Sequence, residues 1–271
     1  MVSAGRCHTV LLQSDGSAIA CGTNSFGQCD IPALEEGLSY TQVSAGRGHT
    51  VLLRSDGRAV ACGSNFAGQC NIPPLEEGIS YTQVSAGECH TVLLRSDGRA
   101  LAVGETRWTF EFGAFGNYHI GNYHIPAPEA GSSYVDISAG PHYTMLLASD
   151  GRVTVCGDRL GLTGLLEEIH TKRMSCKAIS AGGHHMVILH NNGTAEALAV
   201  GGCADCYQCR FSRFPPLEDG VSYTQAAWFF HLRVWENKAP NELIVIVNSK
   251  CFKAQSAMKI PIQSGNNNNI S

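Results

Sequence analysis

Histidine recurs at a fixed place in the sequence, three residues after the glycine of an Ala-Gly pair. Four histidines hold this place: His8, His49, His90 and His185. Imidazoles could bind a metal ion or transfer protons, because their pKa lies near neutral pH. A catalytic group is needed once, however, whereas this position returns at regular intervals. We therefore interpret these histidines as structural groups that satisfy backbone atoms of loops.

Cysteine is the second abundant residue type that could do chemistry, with 12 positions. Cys203, Cys206 and Cys209 form two overlapping C-x-x-C steps, a spacing found in zinc sites. A structural zinc site needs four ligands, and no second C-x-x-C or H-x-x-x-H follows at zinc-finger spacing. The favoured interpretation is a Cys-containing loop, and a zinc site is the alternative. Seven further cysteines fall at repeated positions and are predicted to be small buried residues: Cys7, Cys21, Cys29, Cys62, Cys70, Cys89 and Cys156.

The sequence lacks the common motifs of enzyme active sites. It contains no G-x-S-x-G elbow, no phosphate-binding G-x-x-x-x-G-K-[ST] and no H-E-x-x-H. The Gly-rich segment 22–27 precedes no helical pattern, so it does not favour phosphate binding. Paired carboxylates such as Glu35 and Glu36 recur in connecting segments and indicate a solvated acidic edge. We expect no catalytic residue, no cofactor and no metal.

These positions belong to an internal repeat with a period of about 40 residues. Five units begin with the same Ser-Ala-Gly pattern, at Val2, Val43, Val84, Ile137 and Ile179. A sixth start at 223–226 matches the segment before Val43, but the residues that follow it have lost the pattern. A repeat of this length must be interpreted before any single motif, because it determines the fold.

Each unit has the pattern of three antiparallel strands. In the second unit, residues 40–45 alternate as a half-buried strand does, and 49–54 form an apolar run typical of a strand covered on both faces. The pair Asp56-Gly57 suits a type I′ hairpin turn before a third strand at 58–62. Apolar residues do not recur at helical spacing over three turns, which excludes helical repeats.

About 40 residues of antiparallel strands, repeated five or six times, are typical of a β-propeller. The units contain a Gly-x-Asn-x-x-Gly-Gln loop at 22–28 and 63–69, Ala45-Gly46, His49-Thr50 and Asp56-Gly57. In these motifs and their order the chain resembles the regulator of chromosome condensation repeat family. The resemblance covers roughly Val2 to Gln225. It implies an all-β propeller that binds other proteins.

The chain is predicted to have three parts. Propeller repeats occupy 1–225, a degenerate last repeat or closing strand occupies 226–258, and a disordered Asn-rich tail occupies 259–271. We predict five regular blades and a degenerate sixth. The ring is then either incomplete or closed by 242–247 pairing near the N-terminus.

Charge and hydropathy exclude several classes of partner. The chain has 19 basic and 23 acidic residues and a formal charge of −4, which gives no reason to expect nucleic acid or an anionic membrane. The longest apolar run, 243–247, is far too short to cross a bilayer. No secretory signal is visible, so the expected compartment is the cytoplasm or nucleus, with free thiols.

Function is expected where the units differ, on the face that holds the turn after Ala-Gly and the loop after the third strand. Aromatic and charged residues vary there, including Phe26 and Phe66. We predict that five of the variable positions bind a partner: Arg6, Arg47, Glu88, Trp108 and Arg159. Trp108 belongs to an insertion, 105–125, and Arg and Trp are common interface anchors. Neutral drift in exposed turns, or packing of the insertion over a blade edge, is the alternative.

The resemblance leaves several functions open. A non-enzymatic protein-interaction module is the leading prediction. The alternatives are a guanine nucleotide exchange factor for a small GTPase and the propeller portion of a HECT-type ubiquitin ligase, so the expected partner is a small GTPase, a ubiquitin-pathway protein or another protein. A plant UV-B photoreceptor is disfavoured because its Trp-rich turns are missing. No segment after Ala226 has the length or pattern of a HECT domain.

Overall fold

The computed structural model describes residues 1–104, 125–157, 176–183, 185–192, 194–199, 232–236, 242–247 and 256–261. Over these ranges the regular structure is entirely β-strand. Consistently, the described part of the chain contains no helix long and apolar enough to cross a membrane. The chain divides into two compact units, Met1–Ala226 and Ala227–Ser271.

The first unit contains five antiparallel sheets of three strands, which we call blades 1 to 5. Blades 1 and 2 comprise β1 (Val2–Ala4), β2 (His8–Leu12) and β3 (Ala18–Gly22), then β4 (Tyr40–Ala45), β5 (His49–Arg54) and β6 (Ala59–Gly63). Blades 3 and 4 comprise β7 (Tyr81–Ala86), β8 (Thr91–Arg95) and β9 (Ala100–Val103), then β10 (Tyr134–Ala139), β11 (Tyr143–Ala148) and β12 (Val153–Gly157). Blade 5 comprises β13 (Cys176–Ala181), β14 (His185–His190) and β15 (Ala195–Ala199). The predicted repeat units therefore correspond to blades.

The middle strands of blades 2, 3 and 4 are apolar because they are covered on both sides. In β5, Val51 and Leu53 pack against Val84 of blade 3, and Leu52 packs against Val10 of blade 1. Val51 and Leu52 are completely buried. Each such aliphatic side chain contributes about 1.5–3 kcal/mol by leaving water. Stacking of neighbouring blades is therefore the main source of stability, as the apolar run at 49–54 predicts.

The hairpin between the second and third strands has three residues, not the two of the predicted type I′ turn. In blade 2, the Gly57 N–H donates to the Arg54 carbonyl and the Arg54 N–H donates to the Arg58 carbonyl. Gly57 has φ 77°, which a residue with a Cβ rarely adopts. The Gly57 carbonyl also accepts a 2.7 Å hydrogen bond from the Tyr81 N–H of blade 3, so this turn links two blades.

Side chains of the innermost strands link each blade to the next. The Ser3 hydroxyl accepts a hydrogen bond from the Ala45 N–H of blade 2, at 2.9 Å. The same bond recurs at the next three junctions, from Ala86 to Ser44, Ala139 to Ser85 and Ala181 to Ser138. The recurring Ser-Ala-Gly sequence is therefore the junction between blades.

The second unit contains one antiparallel sheet, with strand order β16 (Leu232–Glu236), β17 (Glu242–Val247) and β18 (Ser256–Pro261). β17 is the strand considered above for closing the ring, and it pairs on both edges within its own sheet. β18 crosses residue 258, where the sequence interpretation places the start of the tail. The domain boundaries and the disorder of the tail stay predictions.

Candidate interaction surface

Two kinds of loop meet at one end of blades 1 and 2. The turn after Ala-Gly lies beside the loop that follows the third strand, because the Ser64 N–H donates to the Gly48 carbonyl at 2.8 Å in blade 2. The Thr23 N–H makes the same bond to the Cys7 carbonyl in blade 1. The Asp-Gly turns lie at the opposite end, as antiparallel strands require. The variable positions of these two blades thus share one face, which we call the turn face.

Glycine brings the turns of successive blades together on this face. The Arg6 N–H donates to the Gly46 carbonyl, and the Arg47 N–H donates to the Gly87 carbonyl, both at 3.2 Å. A Cβ at Gly46 would lie 2.5 Å from the Gly87 oxygen and 2.5 Å from the His49 ring. Only glycine fits such a distance, so the residues that follow these glycines are held close to one another.

Glu88 of blade 3 contacts side chains from the three other blades numbered 1, 2 and 4. Its Oε1 accepts hydrogen bonds from Nη1 of Arg6 at 3.2 Å and from Nη1 of Arg47 at 2.6 Å, and its Oε2 lies 3.2 Å from Nε2 of His142. The Glu88 side chain is only 10% exposed, whereas those of the two arginines are 51% and 47% exposed. Each guanidinium therefore keeps one side on the carboxylate and the other in water.

The structure thus joins three of the five predicted partner-binding residues. Arg6, Arg47 and Glu88 form one cluster, whereas Trp108 and Arg159 lie outside the described residues. So do the Cys203, Cys206 and Cys209 loop and nearly all of the insertion. His142 was missed by the sequence analysis, and the available signal was its place beside the variable position Pro141 of the fourth unit.

Two phenylalanines extend the turn face beside this cluster. Phe26 and Phe66 meet edge to face, with ring centroids 5.9 Å apart and planes at 88°. They are 52% and 73% exposed. A Cβ built on Gly48 would lie 3.2 Å from Cδ2 of Phe26, so the aromatic pair adjoins the turn that carries Arg47.

The loops that carry these rings are held by their own polar side chains. The buried Gln28 accepts a hydrogen bond from the Phe26 N–H through Oε1 at 2.9 Å, and Asn24 Oδ1 accepts one from the Cys29 N–H at 2.8 Å. The second loop repeats both bonds with Gln69 and Asn65. The Gly-x-Asn-x-x-Gly-Gln motif is therefore a self-supporting loop that presents its variable residues.

The recurring histidines lie between blades. His8 Nε2 is 2.8 Å from the Thr50 hydroxyl of blade 2, and that hydroxyl donates to the Gln28 carbonyl. The Thr50 hydroxyl has one proton and gives it to the Gln28 carbonyl. The neutral His8 imidazole must therefore donate its Nε2–H to the Thr50 oxygen. His49 and Thr91 repeat the arrangement at 3.0 Å. The structural role predicted for these histidines is correct, but the immediate partner is a hydroxyl, not the backbone.

The environment of these imidazoles opposes acid–base work. Burial, reinforced by the neighbouring His8, lowers the pKa of His49 to about 4. Burial also lowers the pKa of His90 to about 3. In the fourth blade Tyr143 replaces histidine, and its hydroxyl donates to the Gly182 carbonyl at 2.9 Å. Blades are thus joined by neutral, buried hydrogen bonds.

The cysteines of the described blades are free thiols. Cys7 and Cys21 are exposed and the other six are half-buried, so they pack less deeply than their repeated positions predict. Burial raises the pKa of Cys62 to about 12 and that of Cys70 to about 11, which opposes nucleophilic chemistry. Over the described ranges, no three His, Cys, Asp or Glu side chains are placed to hold a metal ion.

Replacement of Glu88 by glutamine tests the cluster. We expect Glu88→Gln to destabilise the fold by about 1–3 kcal/mol, because two arginines lose their shared counter-charge. High salt should restore part of the loss by screening the arginines from each other. The control is Glu35→Gln. The Glu35 carboxylate is 79% exposed and lies 3.6 Å from Arg54, so its replacement should lower the free energy of unfolding by less than about 0.5 kcal/mol. Urea unfolding at two salt concentrations measures both, and equal losses would contradict the prediction.

Comparison with known sequences bears on this architecture. The profile described as Regulator of chromosome condensation (RCC1) repeat matches residues 2–28 and 40–69. These segments hold blade 1 and its following loop, then blade 2 and its following loop. Blades 1 and 2 are therefore RCC1 repeats. No curated protein matches the sequence.

Solved structures are similar to the chain at low sequence identity. Human WBSCR16 is 15% identical with a TM-score of 0.65, and the match covers 91% of this chain and 75% of that one. The ectodomain of the Physcomitrella patens receptor kinase CR4 is 16% identical with a TM-score of 0.63, covering 97% and 66%. Yeast RCC1 (Prp20), solved with Kap60, is 16% identical with a TM-score of 0.46, covering 73% and 69%. The five three-stranded sheets of Met1–Ala226, with RCC1 repeats in blades 1 and 2, form a propeller of the RCC1 type.

Proposed function

We propose that the chain is a non-enzymatic protein-interaction module that binds its partner through the turn face. The main support is the convergence of Arg6, Arg47 and Glu88 from three repeat units on one half-exposed cluster. The residues that the units share are used inside and between blades. Among the residues that differ, Arg6 and Arg47 are about half exposed, where they can select a partner.

The chemistry of the described residues favours binding over catalysis. The histidines at the blade junctions are buried and bonded to threonines, and the pKa values of His49 and His90 keep both neutral near pH 7. Arginine and phenylalanine dominate the turn face, and such side chains supply binding energy at protein interfaces. Exchange-factor and ubiquitin-ligase functions remain finer alternatives within this proposal.

Site-specific photo-crosslinking tests the proposal. A benzophenone amino acid at position 66 should form covalent adducts with a partner in cell extract, because Phe66 is 73% exposed on the turn face. The matched probe replaces Arg58, an exposed residue beside the Asp-Gly turn of the opposite face. Adding Arg47→Gln should lower the yield at position 66 at least tenfold, since interface arginines commonly contribute about 2 kcal/mol.

The pattern of adducts decides between the faces. Adducts at position 66 that disappear with Arg47→Gln support binding at the turn face. Adducts confined to position 58, or equal at both positions, would place the partner elsewhere. Mass spectrometry of the adduct identifies the partner, and a small GTPase crosslinked best without nucleotide would select the exchange-factor alternative.

A further inference from the structure

We infer that the turn face binds an acidic peptide segment, one that carries an aromatic or aliphatic side chain near its carboxylate. This inference rests on the proposed function and specifies the chemistry of the partner. Two adjoining parts of the turn face carry it, a cationic part formed by Arg6 and Arg47 and an apolar part formed by Phe26 and Phe66.

The cationic part retains unused donors. A guanidinium has five N–H groups, and within the described residues each arginine gives one side-chain hydrogen bond, to Glu88. Two arginines share this single carboxylate, so the three side chains carry a net charge of +1. About half of each arginine side chain faces water. A carboxylate from outside would complete the charge balance and accept paired hydrogen bonds.

The two phenylalanines of the apolar part are exposed, whereas the described tyrosines are buried. The four described tyrosines are at most 5% exposed: Tyr40, Tyr81, Tyr134 and Tyr143. The two described phenylalanines are both more than half exposed and touch each other on the turn face. Their loops are held independently by Gln28 and Gln69, so the rings are not required to build the loops. Exposed aromatic pairs of this kind mark interaction sites.

The two parts meet at Gly48. This residue follows Arg47 directly, and a Cβ built on it would reach within 3.2 Å of the Phe26 ring. The first and third units have Cys7 and Cys89 at the same place. The missing side chain leaves room for the Phe26 ring, which packs against the buried Gly48 and so lies directly beside the turn of Arg47. One short segment can therefore contact both parts.

The charges on this surface select against other ligands. A basic segment would be repelled by two arginines that share one carboxylate. Asp30, an acidic residue of the Phe26 loop, already accepts a 2.7 Å hydrogen bond from Asn24 Nδ2. The chain as a whole is acidic, which disfavours nucleic acid. An acidic protein segment is the ligand that fits both parts.

Selection from a random peptide library displayed on phage tests the inference on the full chain. The two-phenylalanine variant combines Phe26→Ala with Phe66→Ser, which introduce the residues that the neighbouring unit has there, Ala67 and Ser25. The two-arginine variant combines Arg6→Gln with Arg47→Gln. The control is Val135→Thr, which replaces an exposed apolar residue by the one found at Thr41 and Thr82.

We expect enriched peptides to contain Asp or Glu near Phe, Leu or Ile. Fluorescence anisotropy should show at least tenfold weaker binding to each double variant and unchanged binding to Val135→Thr. Changing the peptide carboxylate to its amide should weaken binding as much as the arginine substitutions. Unfolding curves of the four proteins establish that they are folded.

Several results would overturn the inference. These are enrichment of basic or uncharged peptides, failure to enrich any peptide, and acidic peptides that bind all variants equally. Concentration-dependent self-association lost in the double variants would identify a second copy as the occupant and would also overturn it. The proposed function would survive any of these if crosslinking at position 66 still captures a partner that Arg47→Gln releases. Loss of that crosslink removes the proposed function itself.

Discussion

Gly46→Ala should destabilise the propeller by about 3 kcal/mol, because a Cβ there would lie 2.5 Å from the backbone oxygen of Gly87. That oxygen cannot move alone, since it accepts the Arg47 N–H and belongs to the next blade. Blades 2 and 3 would have to separate at their innermost point. The free energy of unfolding in urea measures the loss.

Gly48→Ala is the matched control in the same turn. Its Cβ would lie 3.2 Å from Cδ2 of Phe26, an exposed side chain that can rotate away. Cysteine occupies the equivalent place in the first and third units, at Cys7 and Cys89, so a Cβ is accepted there. We expect a loss below about 1 kcal/mol. Equal losses from both substitutions would contradict the crowding argument.

The propeller should lose stability as the pH falls from about 6.5 towards 4, through its buried histidines. Burial lowers the pKa of His8, His49 and His90 in the folded state, to about 4 for His49 and about 3 for His90. Below the ordinary pKa of 6.5, the unfolded chain binds protons that the folded chain excludes, so acid favours unfolding. One pKa unit corresponds to about 1.4 kcal/mol, so His49 alone accounts for about 3 kcal/mol at pH 4.

Unfolding free energies measured at a series of pH values test this dependence. The slope of the unfolding free energy against pH gives the number of protons taken up on unfolding. Above pH 5 most carboxylates are already ionised, because their ordinary pKa is about 4, so the histidines dominate the slope there. His49→Gln should reduce the slope by about one proton while lowering stability at neutral pH, because the bond to Thr91 is altered. A slope that is flat, or unchanged in the variant, would show that the histidines are not the cause.

The strands were predictable because local pattern and packing agree. The alternation at 40–45 and the apolar run at 49–54 correspond to β4 and β5, since a stacked blade buries its middle strand on both sides. The Asp56-Gly57 pair marked the correct turn, but its type was wrong. The turn also bonds to Tyr81 in the next blade, and such a contact leaves no local pattern.

The candidate site was predictable only in part. Differences between units indicated Arg6, Arg47 and Glu88, but not that they touch. Arg6 and Glu88 are 82 residues apart, and they meet because the innermost turns of successive blades converge. His142 of blade 4 reaches Glu88 through the same convergence of turns. Sequence comparison between units found the variable positions, whereas the direction of each side chain depends on packing.

The serine bridges between blades bear on how the chain can change its number of repeats. Each bridge uses one residue from either side, and the donors and acceptors are the same at four successive junctions. A gene segment encoding one unit could therefore be duplicated or lost by unequal recombination, and the new junction would still find its partners. The ion cluster at the turn face has no such tolerance, because an added unit would displace Glu88 from Arg6. Recombination would thus preserve the scaffold and alter the ion cluster in a single event.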